Sequence, residues 1–282
     1  EISYEYNTNF NKDEIIDRAF KRAFQILIGK ITISKDQKLV ENQNLKLIKS
    51  FVESFSIVNE KFENNKYYGI FEINFNKNKI LSLLRNNNVF HSRLIEKNVL
   101  FVPIFINLKK NNLLLFDENP FYNLWNYEEE NQFLLKYILH NEDLDDYKLI
   151  QDQIEFIENY DFKEIISKYE LNENYIIFIV FADNNSLKTF SKFNINSVKS
   201  NFKEEFNFLK IDDNKKIKNL IKFIKIKYED EWKKINLINS SIKLNIQLNV
   251  DSKNISLIKK IENILNKIEL VENHYIIYFN NE

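Results

Sequence analysis

Polar and apolar residues change period several times along the chain. Ile2 to Asn7 alternates as a short strand does, and Asn11 with Glu14 three residues on marks a capped helix start. A helix is expected from about Lys12 to Lys30, because Ile15, Ile16, Ala19, Ala23, Phe24, Leu27 and Ile31 recur at helical spacing. Phe51 to Glu60 and Lys66 to Phe75 are alternating, aromatic and β-branched, and the Asn64-Asn65 pair between them predicts a hairpin. Lys77 to Arg85 reads as a second helix that ends in the Asn86 to Asn88 loop. Residues 1–96 therefore read as a β-α-β-β-α module of the α+β class.

From Val99 the apolar runs become continuous. Val99 to Ile106, Phe133 to Leu139 and Tyr175 to Ala182 have the density of strands covered on both faces, as in a parallel or mixed sheet. Between them lie a helix near Pro120 to Tyr127 and helical stretches from Leu144 to Tyr169, with Asp161 and Glu164 as a further cap signature. Leu187 to Ile195 and Asn201 to Ile211 read as an antiparallel pair, leading into a long helix from Asp213 to Asn236. A last β-α-β segment is expected from strands Ile242 to Val250 and His274 to Phe279 around a helix near Asn254 to Ile268. The expected architecture is α+β and α/β: the module at 1–96, a mixed-sheet α/β domain at 97–240 and a β-α-β tail at 241–282. No Gly/Ser/Pro-rich linker separates these parts.

Composition narrows the function. With 44% apolar and 15% aromatic residues the chain can build a packed core, and 40 basic against 41 acidic residues leave no charge footprint for nucleic acid. The longest apolar runs, Val99 to Ile106 and Tyr175 to Ala182, fall well short of the ~20 residues that span a bilayer, so no transmembrane segment is expected. The absence of Cys removes thiol chemistry, disulfides and thiolate metal sites. Two glycines cannot supply a P-loop, a GxGxxG fingerprint or a GxSxG elbow, and no cofactor is implied. The few small residues read as packing devices. Ala19 and Ala23 would let a helix approach a sheet, and Gly69 suggests a bulge or close approach. Because the chain contains no Met, Glu1 is not an initiator, and a removed signal peptide or a start trimmed in some other way accounts for that equally well.

Three segments could carry chemistry or binding. His140, Glu142, Asp143, Asp145 and Asp146 follow an expected buried strand, where α/β sheets place ligand sites. They could hold a hard cation or do acid/base work, or they could simply be a helix start favoured by the macrodipole. Asn119, Pro120, Phe121 and Trp125 belong to the most aromatic stretch, which suits either a partner-binding surface or a Pro-started helix packing its rings onto the sheet. Lys215, Lys216, Lys218, Lys222, Lys225 and Lys227 could meet a membrane or a partner, but the solvated face of an ordinary helix has the same composition.

Several blocks together resemble a proteobacterial family of uncharacterised proteins, domain of unknown function number two thousand and sixty-six. They are Arg18 to Thr32, Phe51 to Phe55, Tyr67 to Phe75, Ile80 to Arg85, Val99 to Ile104, Asn119 to Trp125 and Ile138 to Asp146. The resemblance implies an exported, periplasmic protein whose precursor carries a signal peptide that is removed, with no established activity and no catalytic residues to carry over. The expectation is a non-catalytic cell-envelope protein with a protein partner. One alternative is a metal-assisted hydrolase using the His140 to Asp146 cluster, and another is a small-ligand carrier with an interdomain pocket.

Overall fold

The computed structural model describes residues 2–6, 10–127, 132–183, 186–207, 213–238, 246–249, 255–268, 271 and 274–277. The chain divides into two units, Glu1–Ser241 and Ile242–Glu282. The expected division at residues 96 and 97 therefore lies inside the first unit.

The first unit opens with β1 (Ile2–Glu5) and α1 (Lys12–Ile31), whose start is closed by the Asn11 side chain accepting from Asp13 N at 3.0 Å. Two short helices that the alternation did not foretell follow, α2 (Ser34–Val40) and α3 (Leu45–Phe51). At seven residues each they are too short to show a helical period of their own, and Val40, Ile48 and Phe51 hold them through burial against α1. Strands β2 (Val52–Glu63) and β3 (Lys66–Phe75) form the expected hairpin in a three-stranded sheet of order β1-β3-β2. Asn64 and Asn65 both take positive φ, 50° and 56°, the geometry of the tight turn that suits the twist of a hairpin and that Asn tolerates. Helix α4 (Lys77–Asn86) completes the core with Ile80 and Leu84.

Gly69 lies beside a register shift in β2 between Ile57 and Asn59, and a Cβ on it would sit 2.6 Å from the Phe71 ring and 2.9 Å from that of Tyr67. The close approach comes from neighbouring rings on its own strand face and not from α1. Tyr67 is fully buried and cannot swing into solvent. Gly69→Ala is expected to cost about 1–3 kcal/mol of stability in urea unfolding, and a loss under about 0.5 kcal/mol would show that the rings yield freely.

The second sheet has six strands: β5 (Lys97–Asn107), β6 (Asn112–Leu114), β7 (Leu135–Leu139), β8 (Asn174–Ala182), β9 (Leu187–Ile195) and β10 (Val198–Phe206). The order is β10-β9-β8-β5-β6, with β7 also on β5; β5 runs parallel to β7 and β8, and the other pairs are antiparallel. Alternate residues of β5 and β8 feed two cores. Val99, Phe101, Phe105, Ile176 and Phe178 meet α5 (Pro120–Leu124) and α8 (Asn214–Ile235), and Leu100, Val102, Ile104, Ile177 and Ile179 meet α6 (Leu144–Asp152) and α7 (Lys163–Ile166). Covering on both faces is the physical reason the two strands read as unbroken apolar runs.

Three boundaries differ from expectation. Asn196 and Ser197 take φ of 50° and 64° and turn the chain straight into β10, so the second strand of that pair starts at Val198 and not at Asn201. The residues that would have extended it, 208–211, lie outside the described ones. Helix α7 begins after Phe162 with no side-chain cap, so the Asp161/Glu164 signature is unused; Asp161 pairs with Lys163 instead. In the tail, α9 (Ile255–Lys267) lies where a helix was expected. Of the two strands meant to flank it, the described residues 246–249 and 274–277 have no regular strand, and the remainder lies outside the described residues.

Helix α8 joins the parts of the first unit. Ile217, Leu220, Ile221, Ile224, Tyr228 and Trp232 cover the six-stranded sheet. Near its end, Asp230 accepts from Ser34 N at 2.8 Å and from the Ser34 hydroxyl at 2.5 Å, filling the place left open at α2, where Ile33 has no capping side chain. Lys233 Nζ donates to Gly29 O at 2.5 Å, and Trp232 Nε1 donates to Ile95 O at 2.8 Å. After the helix, β11 (Leu237–Ile238) pairs with β4 (His91–Ser92). Lys225 does not belong to a solvated lysine face: it is buried, donates to Trp125 O at 2.6 Å and lies over the rings of Trp125, Phe133 and Tyr137.

Candidate functional site

The two constellations singled out in the sequence lie close together, because Tyr122 Oη donates to His140 O at 3.0 Å. Asn119 caps α5, accepting from Phe121 N at 2.9 Å while its amide donates to Pro103 O at 3.0 Å. Pro120 follows as the first helical residue, where its missing N–H costs nothing. The short helix then drives Phe121 and Trp125 into the sheet. Trp125 stacks on Phe101 at 3.8 Å, and Phe121 meets Phe178 edge-on at 5.4 Å. Asn119, Phe121 and Trp125 are each 0% exposed. The expected partner-binding surface is therefore corrected: these residues are a packed interior, and only Pro120 is partly accessible. Ring burial outweighs display here because the α5 stripe is the lid of the Phe101 side of the sheet.

The acidic constellation separates into three environments. His140 follows β7 directly, with its N–H donating to Phe101 O at 3.2 Å, and its ring is fully enclosed by Phe116 and Tyr122, whose centroids lie 4.9 and 5.8 Å away. Neither ring nitrogen makes a hydrogen bond of good geometry among the described residues, although the Phe101 carbonyl is close enough to favour the charged ring slightly. Burial outweighs that pull and drives the imidazole down to about 4, so the ring is neutral at physiological pH.

Asp143 and Asp146 are drawn together by Lys168, which contacts Asp143 closely and Asp146 at 2.6 Å. Asp143 also caps α6 through Asp145 N at 2.8 Å. The Lys168 hydrogen bond, helped by that cap, holds the Asp143 carboxyl below its ordinary value. Asp146 is fully buried, and burial pushes its carboxyl up against the opposing pull of Lys168; its Oδ2 is unpartnered among the described residues. Both carboxylates push the Lys168 ammonium above its ordinary value. Glu142 and Asp145 face solvent.

Among the described residues no three His, Asp or Glu side chains converge to hold a metal ion. Where a cation would be received, the ammonium of Lys168 already bridges the two carboxylates. Tyr169, next to Lys168, accepts from Asn141 N at 2.6 Å and closes the same corner. Nothing in the local sequence linked residues 168 and 169 to the cluster; α7 and the approach to β8 bring them there. A small hollow between α5 and α8 is lined by Leu124, Trp125, Phe133, Lys218 and Lys222, and it lies within the first unit.

A different apolar site was not foreseen. At the turn end of the β2-β3 hairpin, Tyr6 and Phe62 meet edge-on at 4.9 Å, Phe10 lies 4.9 Å from Tyr6, and Phe10 and Phe62 both pack on the buried Tyr67. Tyr6 is 49% and Phe62 55% exposed. Tyr6 is held there by its N–H donating to Asn65 O at 2.7 Å, and Tyr67 Oη donates to Glu60, itself paired with Lys12 at 2.9 Å. The strand alternation could have placed Phe62 and Tyr67 on one face, but the return of Tyr6 and Phe10 to it depends on β1 pairing with β3.

No helix among the described residues is long and apolar enough to cross a membrane. Comparison of the chain with protein-family models, with curated proteins and with solved structures finds no match.

Proposed function

We propose that this chain is a non-catalytic protein of the cell envelope, exported to the periplasm, that binds a protein partner through the aromatic platform at the tip of its first hairpin. The observation that carries this reading is the pair Tyr6 and Phe62, half exposed and in mutual contact, with Phe62 seated on a buried, hydrogen-bonded Tyr67. Aromatic rings held rigid before binding lose little entropy when covered, which is why such rings anchor interfaces. The envelope assignment draws on the sequence resemblance described above. The neutral, enclosed His140 and the carboxylates already bridged by the Lys168 ammonium favour binding over metal-assisted hydrolysis.

A photoreactive amino acid placed at Phe62 in cells expressing the full-length gene is expected to give a discrete heavier adduct, recovered with the periplasmic fraction. Tyr6→Ala in the same chain should abolish that adduct. An adduct pattern no different from that of a photoprobe at the exposed Glu72 would overturn the binding site, and recovery of the chain in the cytoplasmic fraction would overturn the location.

A further inference from the structure

The six-stranded sheet ends on β10, and among the described residues no strand pairs with its outer edge. β10 matches β9 residue for residue, from Val198 opposite Ile195 to Phe206 opposite Leu187, without a shift. Its free edge is therefore a regular template of nine residues. β2, the other long edge strand, has two register shifts, between Val52 and Ser54 and between Ile57 and Asn59. Irregularities of that kind twist an edge away from further pairing. On β10 only charge could do so, and the order of its charges makes it complementary to itself.

We propose that two copies of this chain join edge to edge through β10, antiparallel and centred on Phe202, so that the sheet continues across a two-fold axis. An axis perpendicular to the sheet brings the second β10 alongside with the same face towards α8, so only residues of equal parity stand opposite one another. Centred on Phe202, this register sets Lys199 against Glu205 of the second copy, and Glu205 against Lys199 of the second copy. Ser200 then faces Glu204, Asn201 faces Lys203 and Phe202 faces its own equivalent. The neighbouring registers that keep the faces aligned both oppose like charges: Lys199 meets Lys203 in one, and Lys203 meets its own equivalent in the other. Like charges directly opposite across strands are destabilising, so the charge order selects one register.

The protomer leaves the required groups available. Lys203 is engaged by Glu158 at 2.6 Å and Glu204 by Lys227, but Glu205 lies 3.7 Å from Lys188 in a pair that is 60% exposed on both sides. Lys199 is exposed. Phe202 packs beneath α8 beside Phe193 and Tyr228, so the centre of the joint rests on a firm floor. The pairing involves neither Tyr6 nor Phe62 and stands apart from the binding reading above.

Sedimentation velocity of the full chain up to about 100 µM is expected to show a reversible dimer. Lys199→Glu, which opposes Glu to Glu twice, should weaken it by about tenfold or more, as should Asn201→Lys, which opposes Lys to Lys203. Lys199→Glu combined with Glu205→Lys should restore association to within about threefold of the unaltered chain. Circular dichroism shows that each variant is folded. A chain that stays monomeric throughout, a dimer indifferent to both single substitutions, or a charge swap that fails to restore it would each overturn the proposal.

Discussion

Trp125→Ala is expected to lower the unfolding free energy by about 3–5 kcal/mol, the range for removing a large buried aromatic ring. The ring stacks on Phe101 at 3.8 Å, takes Tyr137 edge-on at 5.4 Å and lies 5.5 Å from Phe178, so its removal opens a cavity between β5, β7, β8 and α8. The neighbouring rings belong to well-packed strands and cannot collapse into the space. Its indole N–H has no partner among the described residues, so Trp125→Phe keeps most of the stacking while removing an unsatisfied donor, and should cost under about 1.5 kcal/mol. Urea unfolding followed by circular dichroism measures both. A loss below about 1 kcal/mol for Trp125→Ala would return the ring to the surface role that its sequence context allows.

The second large effect depends on pH. His140 titrates near 4 in the folded chain against about 6.5 when unfolded, so between those values the unfolded state binds the extra proton. The neutral ring's stability contribution is fully present above pH 6.5 and is lost progressively as pH falls to about 4, a total on the order of 3 kcal/mol. Asp146 and Glu229, whose carboxyls burial pushes up, act in the opposite sense, since their contribution is lost as pH rises. Comparison with His140→Phe isolates the imidazole. Phe fits a box already made by Phe116 and Tyr122, so the variant should match the parent near pH 7 and exceed it increasingly down to pH 4. Parallel stability curves for the two chains across that range would show that the ring is solvated or paired in the folded state.

The parts of the fold legible beforehand are those whose pattern is local. The α1 period, the Asn11 cap, the Asn64-Asn65 turn and the continuous β5 and β8 runs each record an environment within a few residues of themselves. Helices α2 and α3 were not legible because seven residues make too few turns to show a face. The β9-β10 turn at Asn196-Ser197 did have a signal, an Asn able to take positive φ, but the polar Lys199 and Ser200 masked the start of an edge strand.

For the site, composition and spacing could bring His140, Asp143 and Asp146 within one short segment, and Phe121 and Trp125 within another. Neither could say which way the side chains point. An aromatic, Pro-started turn has the same letters whether it caps a core or greets a partner, and an acidic run has the same letters whether it awaits a cation or already holds a lysine. The sequence by itself determined the class of fold, the capacity for a packed interior and the exclusion of glycine-loop and thiol chemistry. Only the tertiary structure decided that Trp125 lies inward, that Lys168 bridges Asp143 and Asp146, and that Tyr6 and Phe62 stand outward together. Those outcomes depend on contacts between residues far apart in the chain, such as Tyr6 with Phe62 and Asp146 with Lys168, and no local period encodes them.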